Sequence, residues 1–181
     1  AMNNIIKKIE DLAKDKNSTK DEKLDSLFND NIFKFNTSFF LSDLDENSIY
    51  GRRFSRYILR KVDFLLDAPL YSEKRSSYNE MTVEHVLPQN PEDGSRWTKD
   101  FNPEQREEWT HKLGNLVLIS RRKNAGQGRL DFKDKKEKYF KSSIESFPNS
   151  LRVMLKNQWS LEELKNNHIE LISKIKNHYK I

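Results

Sequence analysis

The chain has 181 residues, with 33 lysines and arginines against 28 aspartates and glutamates, and a formal net charge of +5. This length suffices for one domain with its own core, and the small positive excess favours a polyanionic partner only weakly. The absence of cysteine excludes disulfides, zinc–thiolate centres and cysteine nucleophiles. No apolar run approaches the roughly 18 residues that span a bilayer, and no signal-peptide pattern opens the sequence. We therefore expect a cytoplasmic protein without a membrane partner.

The amino-terminal part is predicted to be helical. Apolar residues recur at helical spacing over 3–16, and Thr19 or Asp21 would cap a second helix that follows. Phenylalanines then cluster over 33–41, and we expect them to pack in a core.

Residues 51–67 predict a strongly amphipathic helix. Its apolar side would face a core, and a group of cations would remain outside: Arg52, Arg53, Arg56, Arg60 and Lys61. Such a row of cations is either an ordinary solvated face or a surface that faces phosphates. The sequence leaves both interpretations open.

The middle of the chain carries two short runs typical of β-strands. Residues 72–80 are polar and predict a loop, and the first apolar run, from Met81, ends at Pro88. A turn signal at 90–94 and a short helix over 103–109 precede the second run, LVLIS, at 116–120.

A basic, glycine-containing segment, RRKNAGQGR, follows the second run over 121–129. A helix is predicted over about 133–142, and two more from about Ser150 onward. The order is helices, then strand–loop–strand–helix, then helices. The predicted fold class is therefore α+β, mostly α, with a small β element in the middle.

Glu84 and His85 form the first candidate for a chemical site. A neutral imidazole can take a proton from water, and a carboxylate can bind a hard cation such as Mg²⁺. Adjacent residues of a strand point to opposite faces, so the two can share one site only if the strand ends or bends, as Pro88 suggests. Asn115 and Asn124 supply amide oxygens further along the chain.

Structural roles compete with this interpretation. A lone histidine in an apolar run is usually a core residue, and Asn115 or Asn124 alone would be a turn or cap residue. His111 shortly precedes the sequence Gly-Asn-Leu at 114–116. It would either contact and orient a residue of the site or play no part in the site. His168 and His178 are expected to be ordinary surface residues. No GxxxxGK[ST] motif is present, so this chain is not expected to hydrolyse nucleotides.

Three segments together resemble a known family: VEHVLPQ at 83–89, HKLGNLVLIS at 111–120 and RRKNAGQGRLDF at 121–132. They resemble His-Me finger nucleases of the HNH type, and most closely the C-terminal nuclease domain of GmrSD-type, modification-dependent (Type IV) restriction enzymes. In that family an acid–histidine pair ends one strand of a ββα-metal element, Gly-Asn-Leu starts the second strand, and an asparagine lies on the following helix. The resemblance extends from about Thr82 to Tyr139.

The resemblance implies a role for each matching residue. His85 would be the general base, and Asn124 would bind Mg²⁺, with Mn²⁺ as an alternative ion. Glu84 would bind the ion directly or act through a metal-bound water, and Asn115 would orient His85 or position the phosphate. The residues that would contact DNA are Arg121, Arg122, Lys123, Arg129 and Lys135. The implied activity is a metal-dependent DNA endonuclease that nicks or cleaves, as the effector of a bacterial anti-phage restriction system.

The same resemblance implies a domain organisation. The whole chain, 1–181, would be one nuclease domain, with a helical flank over 1–75, the ββα-metal finger over 76–142 and carboxy-terminal helices over 143–181. It would be a fragment of a longer protein, served by an N-terminal NTPase or sensor domain or by a separate subunit. One site cuts one strand, so cutting both would need a homo-oligomer or two sequential nicks.

Two alternatives stay open. One is a catalytically silent, nuclease-like module that binds DNA or a partner domain. The other is a ribonuclease toxin that uses the same finger, since the residues themselves read a phosphate and not a 2′-hydroxyl.

Overall fold

Helices dominate the computed structural model, which describes residues 2–31, 36–121, 128–141 and 147–180. The described α-helices are α1 (Met2–Lys14), α2 (Lys20–Phe28), α3 (Thr37–Glu46), α4 (Ser55–Leu66), α5 (Ala68–Glu73), α6 (Arg96–Asp100), α7 (Pro103–Trp109), α8 (Phe132–Lys141), α9 (Pro148–Met154) and α10 (Leu161–Tyr179). The strands are β1 (Met81–His85) and β2 (Leu116–Ser120), each preceded by a 3₁₀ turn, at Arg75–Glu80 and Leu113–Asn115. The predicted fold class, α+β and mostly α, is confirmed.

The two strands form an antiparallel pair in which Met81 lies opposite Ser120 and His85 opposite Leu116. A two-stranded sheet is only marginally stable by itself. Here every residue of β2 is buried, so the helices that cover both of its faces supply the missing stabilisation.

Alternate residues of β2 belong to two different cores. Leu116 and Leu118 pack in a first core, with residues of α4 and α10, whereas Val117 and Ile119 pack in a second. Successive side chains of a strand point to opposite faces, so this short strand contributes apolar side chains to both cores. The second core is rich in aromatic rings: Trp97, Phe101, Trp109, Phe132, Tyr139 and Trp159.

The chain divides into two compact units, residues 1–38 and 39–181. In the first unit, α2 begins with a capping box: the Glu22 amide donates to Thr19 Oγ1 at 3.3 Å, and the Thr19 amide donates to Glu22 Oε2 at 2.7 Å. Thr19 is thus the cap, one of the two predicted candidates. All of the strand–helix region that carries the candidate chemistry lies in the second unit.

The structure differs from the sequence-based expectations in two places before β1. Residues 72–80, predicted as a loop, belong to α5 and to the 3₁₀ turn that follows it. The missed signal is Asp67, whose side chain accepts from the Leu70 amide at 3.0 Å and so caps α5. Of the phenylalanine cluster, Phe40 packs against the first core, but Phe39 is 70% exposed, and 32–35 lie outside the described residues.

None of the helices in the described ranges is both long enough and apolar enough to cross a membrane.

Candidate active site

Glu84 and His85 line one cavity of about 260 Å³ at the end of β1. Glu84 pairs with Val117, which points into the second core, and His85 pairs with Leu116, which points into the first. The two side chains therefore lie on opposite faces, as the strand geometry requires, and they share a cavity because the strand ends at His85. The remaining lining is Tyr50, Val83, Pro88, Gln89, Asn90, Gly128 and Arg129.

The His85 imidazole has a partner at each nitrogen. Its Nε2 lies 3.1 Å from His111 Nδ1, and its Nδ1 lies 3.3 Å from the Gln89 side-chain nitrogen. Which ring nitrogen donates depends on the tautomer. In the tautomer in which Gln89 donates to Nδ1, Nε2 carries the proton and donates it to His111. The Tyr50 ring meets the edge of His85 at a centroid distance of 4.3 Å and stacks on His111 at 5.3 Å.

The surroundings of His85 disfavour its charged form. Burial lowers the pKa of His85 to about 3, with smaller contributions from repulsion by His111 and Lys135. Burial likewise lowers the pKa of His111. The imidazole of His85 is consequently neutral near pH 7, with a lone pair on one of its two nitrogens.

Glu84 forms a buried ion pair. Lys135 Nζ donates to Glu84 Oε1 at 2.7 Å and to the His85 carbonyl oxygen at 2.7 Å. Burial raises the pKa of Glu84 and lowers that of Lys135, and the attraction between the two charges opposes both shifts. Lys135 was expected to contact DNA, but its side chain is 0% exposed. The structure instead places it behind the acid–histidine pair, where it fixes both residues.

Asn115 is fully buried and bonds to the chain just beyond His85. Its Oδ1 accepts from the Leu87 amide at 2.8 Å and from Trp159 Nε1 at 3.3 Å. Its Nδ2 donates to the carbonyls of Leu87 at 2.9 Å and Thr110 at 2.8 Å. With its amide group occupied in this way, Asn115 holds the backbone at Leu87, two residues after His85, and makes no hydrogen bond to the imidazole.

His168 holds the Gly-Asn-Leu element from the other side, and the expectation that it is a surface residue is wrong. It is 2% exposed. Its Nδ1 accepts from the Gly114 amide at 3.1 Å, and its Nε2 lies 3.0 Å from Asp45 Oδ1. A Cβ at Gly114 would lie 2.5 Å from His168 Cβ, so only glycine permits this approach. His178 is exposed, as predicted.

The other predicted site residues lie partly outside the described ranges. Arg129 is exposed and lines the cavity, and Arg121 is exposed directly after β2. Arg122, Lys123 and Asn124, the last of these an expected metal ligand, fall in the undescribed segment 122–127.

The described lining of this cavity offers one carboxylate, that of Glu84, to a hard divalent cation. Within the described ranges, no three His, Cys, Asp or Glu side chains converge as a metal cluster. Mg²⁺ usually binds through one or two carboxylates and keeps several waters and substrate oxygens, so a full cluster is not required. Glu84 offers a carboxylate at the cavity wall, although Lys135 occupies its Oε1.

Two residues of the cavity were missed in the sequence. Tyr50 reaches the site because the neighbouring Ile49 amide donates to the His111 carbonyl at 3.1 Å. This contact joins residues that are distant in the sequence, so no local sequence pattern predicts it. Gln89 follows His85 by four residues, and only its contact with Nδ1 distinguishes it from an ordinary loop glutamine.

Comparison with known families assigns the class of this domain. Residues 33–174 match a family described as the C-terminal domain of GmrSD restriction endonucleases. The protein is therefore a nuclease-related domain of the restriction-enzyme type. Since the match covers most of the chain, the chain belongs to the GmrSD C-terminal domain family. Comparison with curated proteins gave no match.

Proposed function

We propose that this chain is an HNH-type endonuclease domain that hydrolyses phosphodiester bonds of DNA with Mg²⁺ or Mn²⁺. The observation that carries the proposal is the buried, neutral imidazole of His85, which lines one cavity together with a carboxylate and an exposed arginine. DNA as the substrate is supported by the family, whose members are named restriction endonucleases.

His85 is the proposed general base. In the tautomer that donates its Nε2 proton to His111, Nδ1 would accept the proton from water. The contact of Nδ1 with Gln89 is long, at 3.3 Å, and Gln89 is exposed, so a water molecule can replace the amide at low cost. Attack by this water in line with the leaving 3′ oxygen produces a 5′-phosphate and a 3′-hydroxyl.

Arg129 and Glu84 complete the proposed site. Arg129 lines the cavity, and its guanidinium would bind a phosphate there. Glu84 and, as predicted from the sequence, Asn124 would hold the metal ion. When bound, the ion supplies positive charge that stabilises the leaving oxygen. Lys135 keeps Glu84 and the His85 backbone in one arrangement, which is the preorganisation that such a site requires.

We further propose that the domain acts in the bacterial cytoplasm as the effector of a restriction system against phage DNA. It would work with an N-terminal NTPase or sensor domain, in the same chain or in a separate subunit. Cleavage of both strands would require two protomers or two sequential nicks.

Cleavage of supercoiled plasmid tests the proposal. The 181-residue chain should convert supercoiled DNA to the nicked form with Mg²⁺ or Mn²⁺ and not with EDTA. His85→Ala should abolish this conversion, whereas His178→Ala, which changes an exposed histidine of the same chain, should retain it. Cleavage that persists in His85→Ala would contradict the assignment. It would also be contradicted if the chain without substitutions cleaved neither plasmid with modified bases nor plasmid without them.

A matched pair of oligonucleotides separates this proposal from a ribonuclease. The same sequence is supplied as duplex DNA and as RNA, under the metal conditions that give plasmid nicking. Cleavage confined to RNA would replace DNA with RNA as the substrate.

A further inference from the structure

A second, larger cleft lies along α4, and it shares no residue with the cavity that contains Glu84 and His85. Its volume is about 700 Å³. Three cations and four aromatic rings belong to its lining: Arg56, Arg60, Lys61, Tyr57, Phe64, Tyr71 and Tyr78. Among the described residues that line the cleft, none is acidic. The basic face of 51–67 is thus one wall of a concave, positively charged surface.

Two of the cations are held against aromatic rings. Arg60 donates to the Tyr71 hydroxyl at 3.3 Å, and its guanidinium lies 5.3 Å from the centre of the Tyr78 ring. Lys61 Nζ lies 5.0 Å from the centre of the Phe64 ring. These contacts orient the charges without neutralising them, so the cleft retains its attraction for an anion.

Two aromatic rings that line the cleft are in part open to solvent, although the Phe64 ring also contacts Lys61, Tyr71 and His178. Tyr57 is 63% exposed and Phe64 is 37% exposed. They lie seven residues apart, with Lys61 between them, and so share one face of α4. Flat apolar rings that alternate with cations form the surface on which bases stack while their phosphates bind the charges.

We propose that this cleft binds unpaired nucleotides of single-stranded DNA, with bases stacked on Tyr57 and Phe64 and phosphates on Arg56 and Lys61. A duplex keeps the faces of its bases stacked against one another, so it can offer the cations its phosphates but cannot offer the rings a base. The exposed rings therefore favour an unpaired segment over a duplex.

The cleft and the candidate active site are joined by one strand. Met81, at the start of β1, lines the cleft, and His85, at its end, lines the cavity. Four residues of extended chain span about 14 Å, a distance that an unstacked strand crosses in a few nucleotides. The choice of DNA rests on the proposed function, and a strand anchored in the cleft would lead toward the nuclease site.

Fluorescence anisotropy tests the cleft without cleavage. The full chain is titrated, in EDTA, into a labelled oligothymidylate of about 12 nucleotides and into a duplex of the same length. Tyr57→Ala and Phe64→Ala should each weaken single-strand binding by about five- to tenfold. Phe140→Ala, which removes an aromatic ring of similar exposure on α8, should bind as the unmodified chain does.

The possible outcomes distinguish a failure of the cleft proposal from a failure of the proposed nuclease function. Equal binding of duplex and single strand, or aromatic variants that bind as the unmodified chain does, would overturn the stacking role. Tighter binding of the matching ribo-oligonucleotide would overturn the assignment to DNA. Binding that depends on the aromatic residues in a chain that fails to nick plasmid would refute the proposed function and support the cleft.

Discussion

Replacing Lys135 by methionine should destabilise the second unit strongly. The side chain is 0% exposed, so its ammonium has no access to water, and it donates at 2.7 Å both to Glu84 Oε1 and to the His85 carbonyl. Methionine retains the apolar length and removes both hydrogen bonds, which leaves a buried carboxylate without its cation. Breaking a buried pair in this way costs about 3–5 kcal/mol.

Thermal and urea denaturation followed by circular dichroism would measure the effect. In a chain of this length, each kcal/mol corresponds to about 2–4 °C, so Tm should fall by about 6–20 °C. Lys133→Met is the matched control, because Lys133 is exposed on the same helix, and its Tm should change little.

The double variant Glu84→Gln with Lys135→Met tests the cause of the loss. Removing both charges leaves no uncompensated ion, so the double variant should regain much of the stability lost in Lys135→Met. A loss below about 1 kcal/mol in Lys135→Met would refute the reasoning, because the pair would then be too exposed or too mobile to count as buried.

Three further predictions concern other positions. Burial raises the pKa of Asp63 from 3.8 to about 7. Between these two pH values the folded state therefore binds a proton on Asp63 that the unfolded state has lost. The free energy of unfolding should therefore fall as pH rises through this window, by at most about 4 kcal/mol, and urea titrations of Asp63→Asn should show a flatter dependence. Gly114→Ala places a Cβ 2.5 Å from His168 Cβ, and calorimetry should show a loss of about 1–3 kcal/mol; an unchanged Tm would contradict this packing. Arg129→Gln should weaken DNA binding and reduce the slope of log K against log salt by about 1, whereas Arg96→Gln, at a different cavity, should leave the slope unchanged in anisotropy titrations.

The regular elements around the site could be predicted from the sequence because their patterns are local. LVLIS is a short apolar run without helical periodicity, and it forms β2 over the predicted residues, Leu116–Ser120. The helix predicted over 103–109 forms at Pro103–Trp109, and the Asn102 side chain caps it by accepting from the Gln105 amide at 2.8 Å. In each case the residues that predict the element lie inside it or directly beside it in the sequence.

The roles of individual polar residues could not be predicted, because their partners are distant in the chain. Lys135 is surrounded by charged residues in sequence, which indicates an exposed helix, and only the fold brings it to Glu84, 51 residues away. His168 likewise becomes a core residue through Gly114, 54 residues away. A buried cation or imidazole has no local signature that distinguishes it from an exposed one.

Because the side chains of β2 alternate between the two cores, Glu84 and His85 lie on sheet faces that pack against different cores. Glu84 is carried on the face of the sheet that belongs to the aromatic second core, and His85 on the face that belongs to the first. A cavity made in the first core, for example by Leu171→Ala, would therefore reach His85 before Glu84, and a cavity made in the second core would reach Glu84 first. Because Lys135 donates hydrogen bonds to both residues, either displacement would pass in part to the other residue. The geometry of the pair is thus open to adjustment by substitutions that never touch the cavity.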